Sequence, residues 1–265
     1  MTTYLQINNL RIGNYQITAD FLKREVVGVF SRDPQVRLEV LKIFAGINRN
    51  LNTCLYDGND IFDNPEYFRA RIFLDYSHNY LSTLRTAIIE QSLQSKYNLR
   101  FNKEKFVRIA QELNVRGETE ITHTYKFTPA GNTFVNYALT AALEKAYLII
   151  NNPTINLSLD VDIKYIVKAI TDTQTYESVL LGLDSLRNFR DKLNKILIFT
   201  DYEQVFLTSC PTVVVTKQEL PTEYKLFKGK NYLSLNLFSK EELKALKKNK
   251  IEYVIIPIFD MEDYL

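Results

Sequence analysis

Cys54, Cys210, His78 and His123 are the residues of this 265-residue sequence whose types most often carry nucleophilic, acid–base or metal chemistry. The cysteines are far apart and lack the short spacing of metal ligands, so they read as ordinary core or surface thiols of a reducing compartment. Neither histidine has a partner at a spacing that would make an acid–base pair, and both read as loop residues. No metal site is predicted. A different chemistry is open where Val26-Val27-Gly28-Val29-Phe30 runs into Asp33-Pro34 and a helix begins. A helix N-terminus offers free backbone amides to an anion. As an N-cap, Asp33 would direct its own carboxylate onto those amides.

The elements that position this turn follow from periodicity. The first thirty residues alternate and then become solidly apolar, as edge antiparallel strands leading into a buried strand would. In the helix after Pro34, Val36, Val40, Leu41 and Phe44 share one face and Gly46 stops the run. Ile72-Phe73-Leu74 reads as a second buried strand. A mostly helical region follows, interrupted near Tyr97-Asn98 and at Arg116-Gly117-Glu118-Thr119. Beyond Gly131 a helix over residues 134–143 is predicted to feed the strand Tyr147-Leu148-Ile149-Ile150. Two further helices and the strand Ile196-Leu197-Ile198-Phe199 come next. Strands alternating with helices predict a mostly parallel sheet covered on both faces.

After Val213-Val214-Val215, a linker with Pro221 leads to the alternating strand Leu233-Ser234-Leu235-Asn236-Leu237. Ser239 with Glu242 forms a capping box for a lysine-rich helix, and Tyr253-Val254-Ile255-Ile256 reads as a final strand. The tail is expected to be a small β-α-β appendage. Lys244, Lys247, Lys248 and Lys250 read as the solvated face of its helix.

A hydrophobic content of 46% in 265 residues suffices for a full core. The balance of 33 basic against 31 acidic residues produces no field that would single out nucleic acid or an anionic membrane as the main target. No apolar run approaches the roughly 20 residues that cross a bilayer.

The run Gly28-Val-Phe-Ser-Arg-Asp-Pro-Gln-Val-Arg-Leu-Glu-Val-Leu-Lys-Ile-Phe-Ala-Gly46 resembles the phosphate-binding strand, loop and helix of an ABC transporter ATPase in its spacing and its ending. Further pieces recur in the family's order. Leu55-Tyr-Asp-Gly58 with Asp60-Ile61 resembles the turn after the first helix. Phe73-Leu-Asp-Tyr76 lies at the glutamine loop, and Thr83-Leu-Arg-Thr-Ala-Ile88 resembles the start of the helical subdomain. Pro129-Ala-Gly-Asn-Thr133 sits at the signature. Ile149-Ile-Asn-Asn-Pro-Thr154 is similar to the second nucleotide motif, and Ile198-Phe-Thr-Asp201 to the switch strand. The match runs from about Tyr4 to Val215. Two features depart from the family: the loop between the first two strands is short, with Tyr15 nearest to the place of the adenine-stacking aromatic, and the segment 159–195 is longer than the family's.

The resemblance implies an ABC-type P-loop NTPase fold of the α/β class. Its sheet is mixed but mostly parallel, with an antiparallel β edge. Residues 1–218 form the ATPase-like domain, with a helical subdomain at about 77–135, and 219–265 form the appendage. It also locates the departures. Ser31, Pro34 and Val36 stand where the family has glycines, Arg37 where it has the lysine, and Leu38 where it has the magnesium-binding hydroxyl. Asn151 and Asn152 replace the two carboxylates and Asp201 the histidine, while Pro129, Ala130, Gly131, Asn132 and Thr133 retain one signature glycine and lose the serine.

By this resemblance the residues are expected to form a degenerate nucleotide site. Pro34 has a fixed φ and no amide hydrogen, and Val36 is stiff, so the phosphate cradle is hard to form. Leu38 cannot ligate metal, and two neutral asparagines supply no base. The expectation is a pseudo-ATPase with no catalytic residues and no cofactor. On a helix also bearing Glu39 and Lys42, Arg37 reads as solvated or ion-paired; as the alternative, it replaces the lysine and binds nucleotide without hydrolysis. The resemblance implies a cytoplasmic subunit at the inner face of the membrane, bound to a permease, an active ABC ATPase or both, as a homo- or heterodimer. Phe73, Asp75, Tyr76 and Tyr80 are the candidate permease groove, and residues 129–133 the surface toward a partner's nucleotide. A nucleotide sensor and a stand-alone interaction scaffold are the other readings.

Overall fold

The computed structural model describes residues 3–50, 53–78, 101–113, 128–209, 211–220 and 223–265. Tyr80, residues 83–88, 97–98 and 116–119, His123, Cys210, Pro221 and most of the helical subdomain lie outside them.

An antiparallel sheet in the order β2-β1-β4-β5 opens the chain, built from β1 (Thr3–Ile12), β2 (Tyr15–Leu22), β4 (Cys54–Tyr56) and β5 (Asn59–Asp60). Ile17, Ala19 and Phe21 are buried while their neighbours Gln16, Thr18 and Asp20 are exposed, which is the period-two pattern of a half-buried sheet. Cys54 is fully buried here, and burial pushes its thiol up to about 12.

The second sheet has the order β10-β9-β3-β8-β7-β6. Its strands β3 (Val26–Ser31), β6 (Arg71–Asp75), β7 (Tyr147–Asn151), β8 (Ser178–Leu183) and β9 (Lys195–Phe199) are parallel, and β10 (Val205–Thr208) is antiparallel to β9. Both faces are covered, so β3, β7 and β8 are buried along their whole length. Val27, Val29 and Leu180 face α1 (Pro34–Phe44) and the antiparallel sheet. Val26, Phe30 and Leu181 face a larger core that includes α3 (Lys103–Glu112), α4 (Pro129–Ala142) and α5 (Asp160–Ile170). The short α2 (Pro65–Ala70) leads into β6.

The structure differs from the sequence-based expectation in two places. Between β7 and β9 there is one α-helix, α5, and not two: residues 178–183 form β8, the strand between β3 and β7. Helix α4 starts at Pro129, with Thr128 as its N-cap, and not at Phe134. The third sheet, β12-β11-β13, is antiparallel and takes β11 (Thr212–Thr216) as its centre, between β12 (Tyr232–Leu235) and β13 (Tyr253–Pro257). Residues 219–265 are β-α-β, with α6 (Lys240–Lys248) between β12 and β13, and β11 from the preceding segment completes their sheet. Val213, Phe227, Leu235 and Phe259 join the main core, so this unit is packed on the six-stranded sheet.

Candidate functional site

Strand β3 delivers its last residue, Ser31, to the N-terminus of α1. Ser31 Oγ accepts from the Asp33 amide at 3.1 Å, and Asp33 Oδ1 accepts from the Gln35 amide at 2.8 Å, with Pro34 at the first helical position. The Arg37 amide bonds back to the Asp33 carbonyl at 3.3 Å. No residue from Ser31 to Arg37 has a positive φ. The turn therefore lacks the left-handed conformations with which a glycine-rich loop turns successive amides onto a phosphate. Its own side chains take the amides at 33 and 35. Removing this cap, as in Asp33→Ala, is expected to cost about 1 kcal/mol, measured as a lower urea midpoint with an unchanged slope.

Arg37 is the centre of the arrangement. It is 3% exposed, because positions 37, 40, 41 and 44 share the buried face of α1. Arg37 Nε donates to Asn151 Oδ1 at 3.1 Å, Nη1 to the Leu183 carbonyl at 2.9 Å, and Nη2 to Asn152 Oδ1 at 2.7 Å. This corrects the expectation of a solvated or ion-paired arginine. Its uncompensated burial would be costly, and the three neutral acceptors on β7, β8 and the turn after β7 offset that cost. Burial draws its pKa below the ordinary value, opposed by the nearby charges of Asp184 and Asp75.

Gly182 makes the approach feasible. A Cβ at that position would lie 2.5 Å from Asn151 Oδ1, 2.5 Å from Leu41 Cδ1 and 3.3 Å from Arg37 Cδ. Asn152 follows with φ 51°, a left-handed conformation that asparagine tolerates, and its amide bonds to the Gly182 carbonyl at 2.9 Å. Val36 and Leu38 are half-buried side chains flanking Arg37, and Leu38 carries no oxygen.

Sequence reasoning missed Gly182, Leu183 and Asp184 because it did not find β8. The unbroken apolar run 179–183 was the available signal. Asp201, by contrast, does not join this cluster. It lies beyond β9, on the other side of β3, where its carboxylate accepts from Arg32 Nη1 at 3.0 Å and from the Lys228 amide at 2.9 Å. Tyr15 lies at the same end: its hydroxyl donates to the Thr200 carbonyl at 3.0 Å and its ring meets Phe199 edge-on.

Of the residues expected at a permease groove, Phe73, Asp75 and Tyr76 are among the described residues, and two of these three are buried. Asp75 is 3% exposed and accepts from Ser77, and Tyr76 is fully buried with its hydroxyl 2.7 Å from Thr140 Oγ1. Phe73 is half-buried, while Ser77 and His78 are exposed. The signature-like residues form the first turn of α4. The Thr128 hydroxyl accepts from the Gly131 amide at 3.0 Å, so that amide is already bonded. Gly131, Asn132 and Thr133 are buried, with Asn132 donating to the His78 carbonyl and Thr133 to the Ile155 carbonyl, while Pro129 is exposed and Ala130 half-buried.

A parallel sheet with α1 springing from the end of β3, a covering antiparallel sheet and helices on the opposite face define the ABC-type P-loop NTPase fold. Several solved ATP-binding cassettes share it. The chain is similar to cbiO1 from Clostridium perfringens, part of the ABC transporter complex cbiONQ, at 12% identity over 79% of this chain and 89% of that one, with a TM-score of 0.59. It is similar to an ABC transporter ATP-binding protein from Pyrococcus furiosus at 16% identity, 69% and 92% coverage and a TM-score of 0.55. A dimeric post-hydrolysis ATP-binding cassette bound to ADP and Pi aligns at 14% identity over 77% of this chain and 98% of that chain, with a TM-score of 0.59. No family model and no curated protein sequence matches the chain.

Proposed function

We propose that this chain is a non-catalytic ABC ATPase-like subunit that serves as a structural or regulatory partner of a membrane permease, an active ABC ATPase, or both. The observation that carries this reading is the closed network in which Arg37 is bonded to Asn151, Asn152 and the Leu183 carbonyl. In the family that the sequence resembles, the lysine at position 37 reaches phosphate, and the residues at 151 and 152 serve metal and water. Here the same positions bind one another.

The residues do not fit a magnesium–nucleotide complex. Magnesium prefers anionic and water oxygens. Leu38 has none to give, and the Asn151 and Asn152 carbonyls are neutral and already accept from Arg37. Asp33 carries a negative charge at the mouth of α1, where an incoming phosphate would be repelled. Losing one electrostatic group at an active site commonly costs roughly 3 to 4 kcal/mol of barrier, and several are replaced at once. What such a scaffold retains is surface. Among the described residues no helix is long and apolar enough to cross a membrane. By its likeness to ABC transporter ATP-binding subunits, the proposed location is peripheral, at the cytoplasmic face of the membrane, through a partner.

Coexpression with the neighbouring genes, followed by purification of the tagged chain in detergent, tests this reading. A stoichiometric membrane or ATPase partner is expected, with no magnesium-dependent turnover by the chain itself. Turnover that survives removal of the partner would instead support a residual ATPase. A chain that purifies alone would leave the stand-alone scaffold.

A further inference from the structure

Along α5 runs a groove that the nucleotide-site reading does not use. It has a volume of about 540 Å³ and lies between α5 and the segment 187–192, with Ile163 and Val167 among its lining residues. Five cations line it, Lys164, Lys168, Arg187, Arg190 and Lys192, against one carboxylate, Asp160. A second cavity of about 630 Å³ shares Lys168 and Lys192 and adds Arg24, Asp172 and Asp191. Asp172 accepts from the Thr175 hydroxyl and the Gln174 amide, and its carboxylate also feels the charge of Lys168.

The chain itself shows what this surface accepts. Its acidic C-terminal segment, residues 260–263, lies against residues 185–190: Asp260 pairs with Arg190 and Asp263 with Arg187. Glu262 accepts from Ser185 Oγ at 2.9 Å and from the Leu186 amide at 2.8 Å. Two of the five cations are thereby neutralised by the carboxylates of Asp260 and Asp263. Among the described residues, Lys164, Lys168 and Lys192 form no salt bridge, and all three are exposed. On α5 as well, Val161 is 66% exposed and Tyr165 40%, apolar surface close in sequence to Lys164 and Lys168.

We infer that the groove between α5 and the 187–192 segment is a docking site for an acidic peptide segment of a protein partner, one that extends over Lys164, Lys168 and Lys192 the charge pairing begun by the chain's own residues 260–263. Opposed charge steers such an encounter and sets its register, while the aliphatic floor receives interspersed apolar side chains. A strongly hydrated ammonium on a flexible stem suits varied carboxylate positions more than a fixed bidentate geometry.

Fluorescence anisotropy of a labelled Asp/Glu-rich peptide with interspersed leucines, titrated with the full chain at about 50 mM salt, tests the inference, since exposed pairs are screened at higher ionic strength. Saturable binding is expected, absent for the Asn/Gln counterpart of the peptide. The triple variant Lys164→Glu, Lys168→Glu, Lys192→Glu should weaken binding about tenfold or more, and the corresponding Lys→Arg triple should retain it. Unchanged circular dichroism and melting would show that the variants remain folded. Equal binding by the charge-reversed variant, or no saturable binding by the native chain, overturns the inference. So does binding of phosphatidylserine vesicles or a single-stranded oligonucleotide through these lysines when the peptide does not bind.

Discussion

Arg37→Ala is expected to destabilise the protein by about 3 kcal/mol or more, lowering its melting temperature by roughly 6–12 °C for a chain of this size. The substitution strips the donors from Asn151 Oδ1, Asn152 Oδ1 and the Leu183 carbonyl, and leaves a cavity beside Leu41 and Gly182. Each buried acceptor without a donor costs about 1 to 3 kcal/mol when water cannot replace it, and the void adds to this. Arg37→Lys should recover only part of the loss, because one ammonium cannot reproduce a planar fork aimed at three acceptors on β7, β8 and the turn after β7. An unchanged melting temperature would mean that Arg37 is not a structural residue. A loss of nucleotide affinity at unchanged stability would return it to the role of a phosphate ligand.

Gly182→Ala is the second large effect, expected to cost about 1–3 kcal/mol through overpacking. The new methyl would stand 2.5 Å from Asn151 Oδ1 and from Leu41 Cδ1, and neither atom is the loose end of an exposed chain. Asn151 is held by Arg37, and Leu41 is fully buried against the sheet. The two substitutions should therefore couple. Once Arg37 is shortened, Asn151 has room to turn, and Gly182→Ala in the Arg37→Ala background should cost less than in the native chain. A double-mutant cycle measured by urea unfolding reads this coupling directly. Strict additivity would show that the guanidinium does not hold Asn151 in place.

Much of this arrangement can be read from residue order. The apolar strand before Ser31, the cap at Asp33, the proline at the first helical position and the pair Asn151-Asn152 at a strand end were all legible, and the structure places Asn151 and Asn152 together with Arg37. Less legible was the strand between β3 and β7. Residues 178–183 are buried on both faces, so they carry no alternation, and a short continuous apolar run has the same signature in a strand as in a buried helix. Missing that strand hid the Leu183 carbonyl and the glycine beneath Arg37. It also left Asp201 as the counterpart of the switch residue, although Asp201 lies across β3 and pairs with Arg32.

Arg37 itself illustrates a second limit. Its neighbours Glu39 and Lys42 suggest a solvated face, while its spacing to Val40, Leu41 and Phe44 marks a buried one, and the spacing decided the outcome. The C-terminal unit illustrates a third. Antiparallel pairing of β11 with strands 20 to 40 residues later is a long-range contact that no local pattern encodes. Likewise the pairing of residues 260–263 with Arg187 and Arg190 depends on how that unit is seated on the sheet.

Under the proposed function, Arg37 is taken up by Asn151 and Asn152 while Asp33 caps the amides of α1, and together these leave no place for a magnesium–triphosphate. Calorimetric titration of the purified chain with magnesium-ATP, with phosphate release followed on the same sample, tests it most directly. No saturable heat at millimolar nucleotide and no phosphate above the buffer background are expected. Micromolar, magnesium-dependent binding accompanied by steady phosphate release, both abolished by Arg37→Ala, would contradict this reading.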